Sequence, residues 1–255
     1  MRKVIVLANQ KGGVGKTTTA SAMISGLSNS GYKVLGIDLD PQGNLSDNCD
    51  AEMYNKPTIY ELLRNDVSLD DAIQNMKGFD IIPSNIMLAG AEQEFSQTGK
   101  EYKLKEIVSP IKENYNFIII DTPPSLGILT VNAFTFADEV IIPTTAGIFA
   151  ANGICQLNNT VQTVRKYCNP GLKIAGILIT RYNQRTVVSK QIKELTEVLG
   201  RKINTSIYKT YIRNGIVVEE AQANHKDIFT YSNKSNVAAD YKAFINEYLS
   251  REAEI

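Results

Sequence analysis

Continuous apolar runs, not alternating ones, set the rhythm of this chain. Val4–Ala8, Val34–Ile37, Asp80–Ile82, Phe117–Ile120, Glu139–Ile142, Ile174–Ile179 and Ile203–Ile207 each predict a short strand. Runs of this kind suit strands covered on both faces. Between them the period changes. Ala20, Met23, Ile24 and Leu27 recur at helical spacing and the pattern stops near Gly31, which predicts an amphipathic helix closed by a glycine. Val237, Tyr241, Phe244, Ile245, Tyr248 and Leu249 predict another at the C-terminus. Strand–helix alternation of this sort implies an α/β fold: a mostly parallel twisted sheet with helices on both faces. The stretch from Ser46 to Lys105 is the least regular and predicts short helices and loops more than sheet. No repeat, low-complexity tract or Pro/Gly linker divides the chain, so residues 1–255 read as a single domain.

Composition narrows the chemistry. With 43% hydrophobic and 21% charged residues, the chain can bury a sizeable core. Three cysteines, at 49, 155 and 168, form no C-x-x-C pair, which argues against a disulfide framework or a zinc site and fits a reducing cytoplasm. The lone His225 removes His-based metal sites and disfavours Ser-His-Asp catalysis. No apolar run is long enough to span a bilayer, and the first is too short for a signal-peptide core, so a cytoplasmic protein is expected.

The chemistry concentrates just after the first strand. Asn9-Gln10-Lys11-Gly12-Gly13-Val14-Gly15-Lys16-Thr17-Thr18 lies between a predicted strand and a predicted helix, the setting a phosphate-binding loop requires. Glycines at 12, 13 and 15 let backbone N–H groups turn toward phosphate oxygens. Lys16 supplies a point charge for β- and γ-phosphates, and the Thr17 hydroxyl is placed to ligate Mg²⁺. The pattern departs from G-x-x-x-x-G-K-[ST], because Gln10 stands where its first glycine would be and Lys11 follows. Carboxylates end two further strands: Asp38-Leu39-Asp40 after the second, and Asp121 after Phe117–Ile120. Open α/β sheets bind ligands at such strand ends. Each Asp taken singly could cap a turn; three beside a phosphate loop point to a nucleotide and its metal.

KGGVGKTT, DLDPQGN and FIIIDTPPSLG together resemble the deviant Walker-A ATPases of the ParA/Soj partition family, within the ParA/MinD superfamily of P-loop NTPases. The resemblance implies ATP and Mg²⁺ as cofactors and a homodimer that sandwiches ATP. Lys11 would be the signature lysine reaching the partner's nucleotide, and Gly12 would stay small because the partner approaches it. Gly13, Val14, Gly15, Lys16, Thr17 and Thr18 would cradle the phosphates. Asp38 and Asp121 would lie in the metal's outer shell, and Asp40 would orient the attacking water. Thr180, Arg181 and the backbone near Ile212 would be base contacts, with Arg181 equally readable as a solvated surface residue. The family further implies non-specific double-stranded DNA and a ParB-type centromere-binding protein as partners, slow intrinsic turnover and a nucleoid-associated location.

Charge supports the DNA expectation. The whole chain has zero formal charge, yet 165–213 holds eleven basic residues against two acidic ones, +9 there and −9 elsewhere. Such asymmetry suggests a polyanion-binding face, or else solvated helix faces. Arg185 matches an arginine of the family's DNA surface. The usual proline-arginine-asparagine loop is altered at Tyr211–Ala221, which leaves Val217 at the second arginine's place, with Lys190, Lys209 or Arg213 as substitutes. The chain starts at its first strand, as the short Soj-like branch does. A MinD-like membrane-cycling ATPase is the alternative, but 236–255 carries four acids against two bases, and an acidic helix suits anionic lipid poorly. An iron–sulfur carrier would need a cysteine spacing this chain lacks.

Overall fold

The computed structural model describes residues 2–95, 97–145, 150–183 and 185–253. Its sheet is built from β1 (Lys3–Leu7), β2 (Val34–Asp38), β3 (Gln74–Asn75), β4 (Asp80–Ile82), β5 (Phe117–Asp121), β6 (Glu139–Thr145) and β7 (Lys173–Thr180). The strands lie in the order β3-β4-β2-β5-β1-β6-β7. Pairing is parallel everywhere except between β3 and β4. The helices are α1 (Lys16–Asn29), α2 (Asn44–Asn48), α3 (Ile59–Arg64), α4 (Leu69–Ala72), α5 (Ala91–Glu94), α6 (Lys103–Val108), α7 (Ile128–Phe136), α8 (Ala150–Tyr167), α9 (Val187–Lys202), α10 (Val217–Ala223), α11 (Ile228–Ser232) and α12 (Asn236–Ala253).

The continuous apolar runs are explained by two cores. Val4 and Val6 point to one face, among residues of α3, α6, α7 and α8. Ile5 and Leu7 point to the other, where Met23, Ile24 and Leu27 of α1 meet Tyr241, Phe244 and Tyr248 of α12. Both faces of the central strands are therefore dry, and their acids, Asp38, Asp121 and Glu139, stand at the strand ends.

Six of the seven expected strands form. β6 runs on past Ile142 through Pro143 to Thr145. The proline is tolerated because β1 pairs only with Glu139–Ile141, so no β1 carbonyl needs its missing N–H. The seventh, Ile203–Ile207, does not form; Ile207 makes one isolated bridge to Ile177. Ile203 and Ile207 are apolar because they pack, partly buried, on the first core, and α12 takes up groups that a longer strand would have paired. The irregular stretch holds α2 to α5 as expected, plus β3, which has no apolar run to announce it.

Candidate functional site

β1 lies between β5 and β6, so the chain segments leaving the C-terminal ends of these strands part around it. A crevice at that point is where open α/β sheets hold ligands. Here it is a cavity of about 520 Å³ that includes Gly12, Gly13, Gly15–Thr18, Asp40 and Pro124 on one side.

The loop from β1 to α1 owes its shape to glycine. Gly13 and Gly15 have φ of +69° and +83°, a region other residues enter at a cost. Gly15 is also the N-cap of α1 and offers no side-chain cap, so the first N–H groups of α1 remain free for an anion. A Cβ on Gly12 would meet nothing within 4 Å, so nothing within this chain requires a glycine there. Two side chains fasten the loop. Asn9 Nδ2 donates to the Pro143 carbonyl at 2.7 Å while its Oδ1 accepts from Lys11 N at 3.0 Å. Thr180 Oγ1 lies 2.8 Å from the Val14 carbonyl and 3.2 Å from that of Thr144.

Three carboxylates gather at the ends of β2 and β5, and Asp40 among them lines the cavity. Register sets Asp38 beside Asp121, and Asp121 beside Leu7 at the end of β1. Asp38 is fully buried; Oδ2 accepts from Ser46 N at 2.9 Å and Ser46 Oγ at 2.8 Å, and Oδ1 from Asp40 N at 3.0 Å. Burial still outweighs these bonds and pushes its carboxyl up to about 6. Asp121 is also fully buried, and neither of its oxygens has a hydrogen-bond partner. Burial, then the charge of Asp38, holds its carboxyl well above the usual range, while the Thr17 hydroxyl and Lys16 ammonium pull the other way. Thr17 approaches without completing a well-formed bond, so the geometry still leaves Asp121 orphaned. Burial lowers the Lys16 pKa, offset in part by Asp121 and Asp40. Asp40 is buried, and its Oδ1 accepts from Gln42 N at 3.0 Å.

An unpaired buried carboxylate is costly unless a cation or donor completes it. Asp121 with the Thr17 hydroxyl fits Mg²⁺, which takes one or two protein groups and fills its shell from waters and phosphates. Among the described residues no cluster of three His, Cys, Asp or Glu forms a dedicated metal cage.

Residues 2–174 match the family described as AAA domain. The sporulation initiation inhibitor protein Soj of Bacillus subtilis is 39% identical over 94% of this chain and 96% of its own length. The chromosome partitioning protein ParA of Caulobacter vibrioides is 37% identical over 99% of this chain and 96% of its own. Among solved structures, a Mycobacterium smegmatis protein described as cobyrinic acid a,c-diamide synthase, with bound ATP analog and magnesium, superposes with a TM-score of 0.79. It is 34% identical and covers 96% of this chain and 93% of that one.

The chain belongs to the ParA/Soj family.

Not every residue expected from that family sits as expected. Thr180 lines the cavity and is buried, and its hydroxyl faces the Val14 and Thr144 carbonyls, so it braces the phosphate loop. Ile212 lines the cavity, but its N–H donates to Ile179 O at 2.8 Å and its carbonyl accepts from Tyr182 N at 2.9 Å. It contributes wall, not free backbone groups. Arg181 is exposed at the rim, with φ of +50°, and reaches the Gly13 carbonyl at 3.5 Å. Lys11 is exposed at the loop's entrance.

The DNA candidates separate. Arg185 and Lys209 are exposed. Arg213 is exposed too, but it also lines the nucleotide cavity, and Asp240 holds it in a bidentate ion pair. The side chain of Lys190 lies outside the described residues. Val217 opens α10 half-buried against the second core. Cys49 is half-buried, and burial pushes its thiol up, which disfavours the reactive thiolate.

Sequence reasoning missed other parts of the cavity wall: Asp47 and Asn48 of α2, and Asn214, Gly215, Val218, Glu219, Gln222 and Tyr241. The Arg213-Asn214 dipeptide was a legible signal. Tyr241 had none, since its spacing reads only as core.

Proposed function

We propose that this chain is a ParA-type partition ATPase that converts ATP and water to ADP and phosphate in a slow, partner-regulated cycle. ATP brings two copies together, the dimer binds double-stranded DNA without sequence preference, and hydrolysis stimulated by a ParB-type protein releases it. The observation that carries the nucleotide reading is the orphaned Asp121 carboxylate beside the uncapped start of α1.

In this reading the free N–H groups of α1 and the Gly12–Thr18 loop hold the phosphates, with Lys16 on the β- and γ-oxygens. Thr17 would ligate Mg²⁺ and Asp121 would lie in its outer shell, and the ion would supply charge neutralisation for the transferred phosphoryl group. Asp38 keeps Asp121 company as a buried acid fixed by Ser46. Asp40 orients water, and Lys11 reaches across the dimer to the partner's nucleotide, where open space around Gly12 leaves room for approach. Arg185, Lys190 and Lys209 meet DNA phosphates, an interaction that would fall steeply with salt. On this reading the protein is found on the nucleoid.

The packing of α12 favours this over a membrane cycle. Among the described residues no helix is long and apolar enough to cross a bilayer. The apolar stripe of α12 is spent on the second core, Tyr248 donates to Glu139 at 2.8 Å, and Glu252 pairs with Lys3 at 2.7 Å. A lipid surface would have to compete with all of these.

Retention on DNA in the presence of ATP, ADP or no nucleotide, repeated with anionic liposomes, tests the proposal. ATP-dependent retention on DNA alone is expected, and Arg185→Glu should weaken it without changing nucleotide affinity. Retention on liposomes, or DNA binding indifferent to nucleotide, would overturn it.

A further inference from the structure

The segment 206–215 is tied on one side to β7 and Tyr182 by backbone bonds and on the other to one face of α12. Arg251 donates to Ser206 Oγ and to the Ile207 carbonyl, both at 2.9 Å. Glu247 accepts from Lys209 N and Thr210 N, at 2.7 and 2.8 Å. Asp240 accepts from Arg213 three times: from Nε at 2.7 Å, Nη2 at 2.7 Å and the backbone N at 3.0 Å. Residues 240, 247 and 251 are spaced at two turns and one turn, so their side chains share a face.

Only the Asp240 rung touches the nucleotide cavity. Arg213, Asn214 and Gly215 line that cavity, whereas Lys209 and Thr210 do not. The loop lies flush on the helix here: a Cβ on Gly215 would stand 2.8 Å from Val237 Cγ2, one turn before Asp240. The next residue, Tyr241, lines the cavity too, with its hydroxyl 3.4 Å from Thr19 Oγ1 on α1. Helix α12 thereby braces both the helix that follows the phosphate loop and the opposite wall.

We propose that Asp240 is a positioning residue for the nucleotide: through Arg213 it fixes the Arg213–Gly215 wall against which the nucleoside portion of the triphosphate packs. The inference rests on the nucleotide reading above. A bidentate carboxylate–guanidinium pair fixes the plane of the guanidinium as well as its place. Asp240 is only 8% exposed while the Arg213 side chain is 45% exposed, so the carboxylate half of the pair is the one withdrawn from water. Removing the carboxylate frees a long side chain and a backbone N–H together, so the wall keeps its backbone bonds to Tyr182 but loses its tie to α12 before any ligand arrives. Affinity then falls because binding must order what was ordered already. Asp240 touches no reacting atom, so the chemical step is unaffected.

The test is titration of the full chain with ATP and Mg²⁺, alongside steady-state hydrolysis and thermal melting, for the wild type and four variants. Asp240→Asn and Arg213→Ala should each weaken ATP binding about tenfold. The double variant should be no weaker than Arg213→Ala, because the two residues act as one unit. KM for ATP should rise while kcat at saturation holds. Glu247→Gln is the comparison, since it loosens the same segment away from the cavity: it should lower the melting temperature and leave ATP affinity unchanged. Where Asp240→Asn melts too low to assay, Arg213→Lys, which keeps the charge and loses the fork, should show the same rise in KM. Wild-type affinity in Asp240→Asn, additive losses in the double variant, or equal weakening by Glu247→Gln would overturn the proposal. A wild type that binds no ATP would overturn the nucleotide reading itself.

Discussion

Ser46 gives both its backbone N–H and its hydroxyl to the same oxygen of Asp38, at 2.9 and 2.8 Å, and its hydroxyl oxygen in turn accepts from Ser84 N at 2.8 Å. One small side chain therefore joins α2, the end of β2 and the segment after β4 around a fully buried acid. Ser46→Ala removes a bond to that acid and leaves the Ser84 N–H without its partner. Such losses cost about 2–3 kcal/mol when the groups are buried. The melting temperature should drop by roughly 4–12 °C for a chain of this size, as calorimetry would show, and the Asp38 carboxyl should move further up.

The carboxyl of Asp38, raised to about 6, sets the acid side of the stability curve without nucleotide. Its folded pKa lies above the unfolded value of 3.8, so between the two the native state holds a proton the unfolded chain has released. Stability from this group is thus fully present below pH 3.8, falls as pH rises toward 6 and levels off above. Asp121, shifted the same way by burial and by Asp38, extends the decline upward. Mg²⁺ and ADP favour the ionised acids and should flatten that slope. Melting between pH 5 and 7.5, with and without Mg²⁺ and ADP, checks both halves; a slope unchanged by Mg²⁺ and ADP would count against Asp121 as a metal-side acid.

Thr180→Val keeps the shape of a buried side chain and deletes its hydroxyl, which spans the phosphate loop at Val14 and β6 at Thr144. The Val14 carbonyl loses a bonding partner and the loop loses its tie to the sheet. The expected outcome is a modest stability loss, about 1–2 kcal/mol, with a larger proportional loss in nucleotide affinity. An isothermal titration with ADP and Mg²⁺ against a melting curve separates the two. Were Thr180 instead a base contact, the melting curve would be nearly unchanged.

These residues also show what was legible in the sequence. The phosphate loop and its acids were readable because their chemistry is local: glycines, a lysine and strand ends lie within a few positions of each other. Buried parallel strands were readable because burial on both faces leaves only apolar runs. Ile203–Ile207 misled for the same reason, since packing under a sheet edge demands apolar residues as much as pairing does. Thr180, Arg213 and Asp240 were opaque in their roles. Their partners are remote in sequence, 166 positions for Thr180 and Val14 and 27 for Arg213 and Asp240, and no local pattern encodes such a meeting. A surplus of cations likewise counts charge without showing which ones are spent on ion pairs.

Asp40 offers the sharpest separation of binding from chemistry. It is buried at the cavity, one of its oxygens accepts from Gln42 N at 3.0 Å, and the other has no such backbone tie. A carboxylate held on one side and free on the other is suited to orienting a water molecule. Asp40→Ala leaves the phosphate loop, Lys16, Thr17 and Asp121 in place, so ATP should still bind and the ATP-bound dimer should accumulate. Hydrolysis should fall by roughly 10²–10⁴-fold, the usual contribution of a positioned acid–base group. Lys16→Ala should do the reverse and prevent binding, because it removes the charge on the β- and γ-phosphates. Single-turnover hydrolysis and nucleotide titration on the two variants give four numbers with opposite patterns. Wild-type turnover in Asp40→Ala would remove it from the reaction and leave it as a cap for the turn at Gln42.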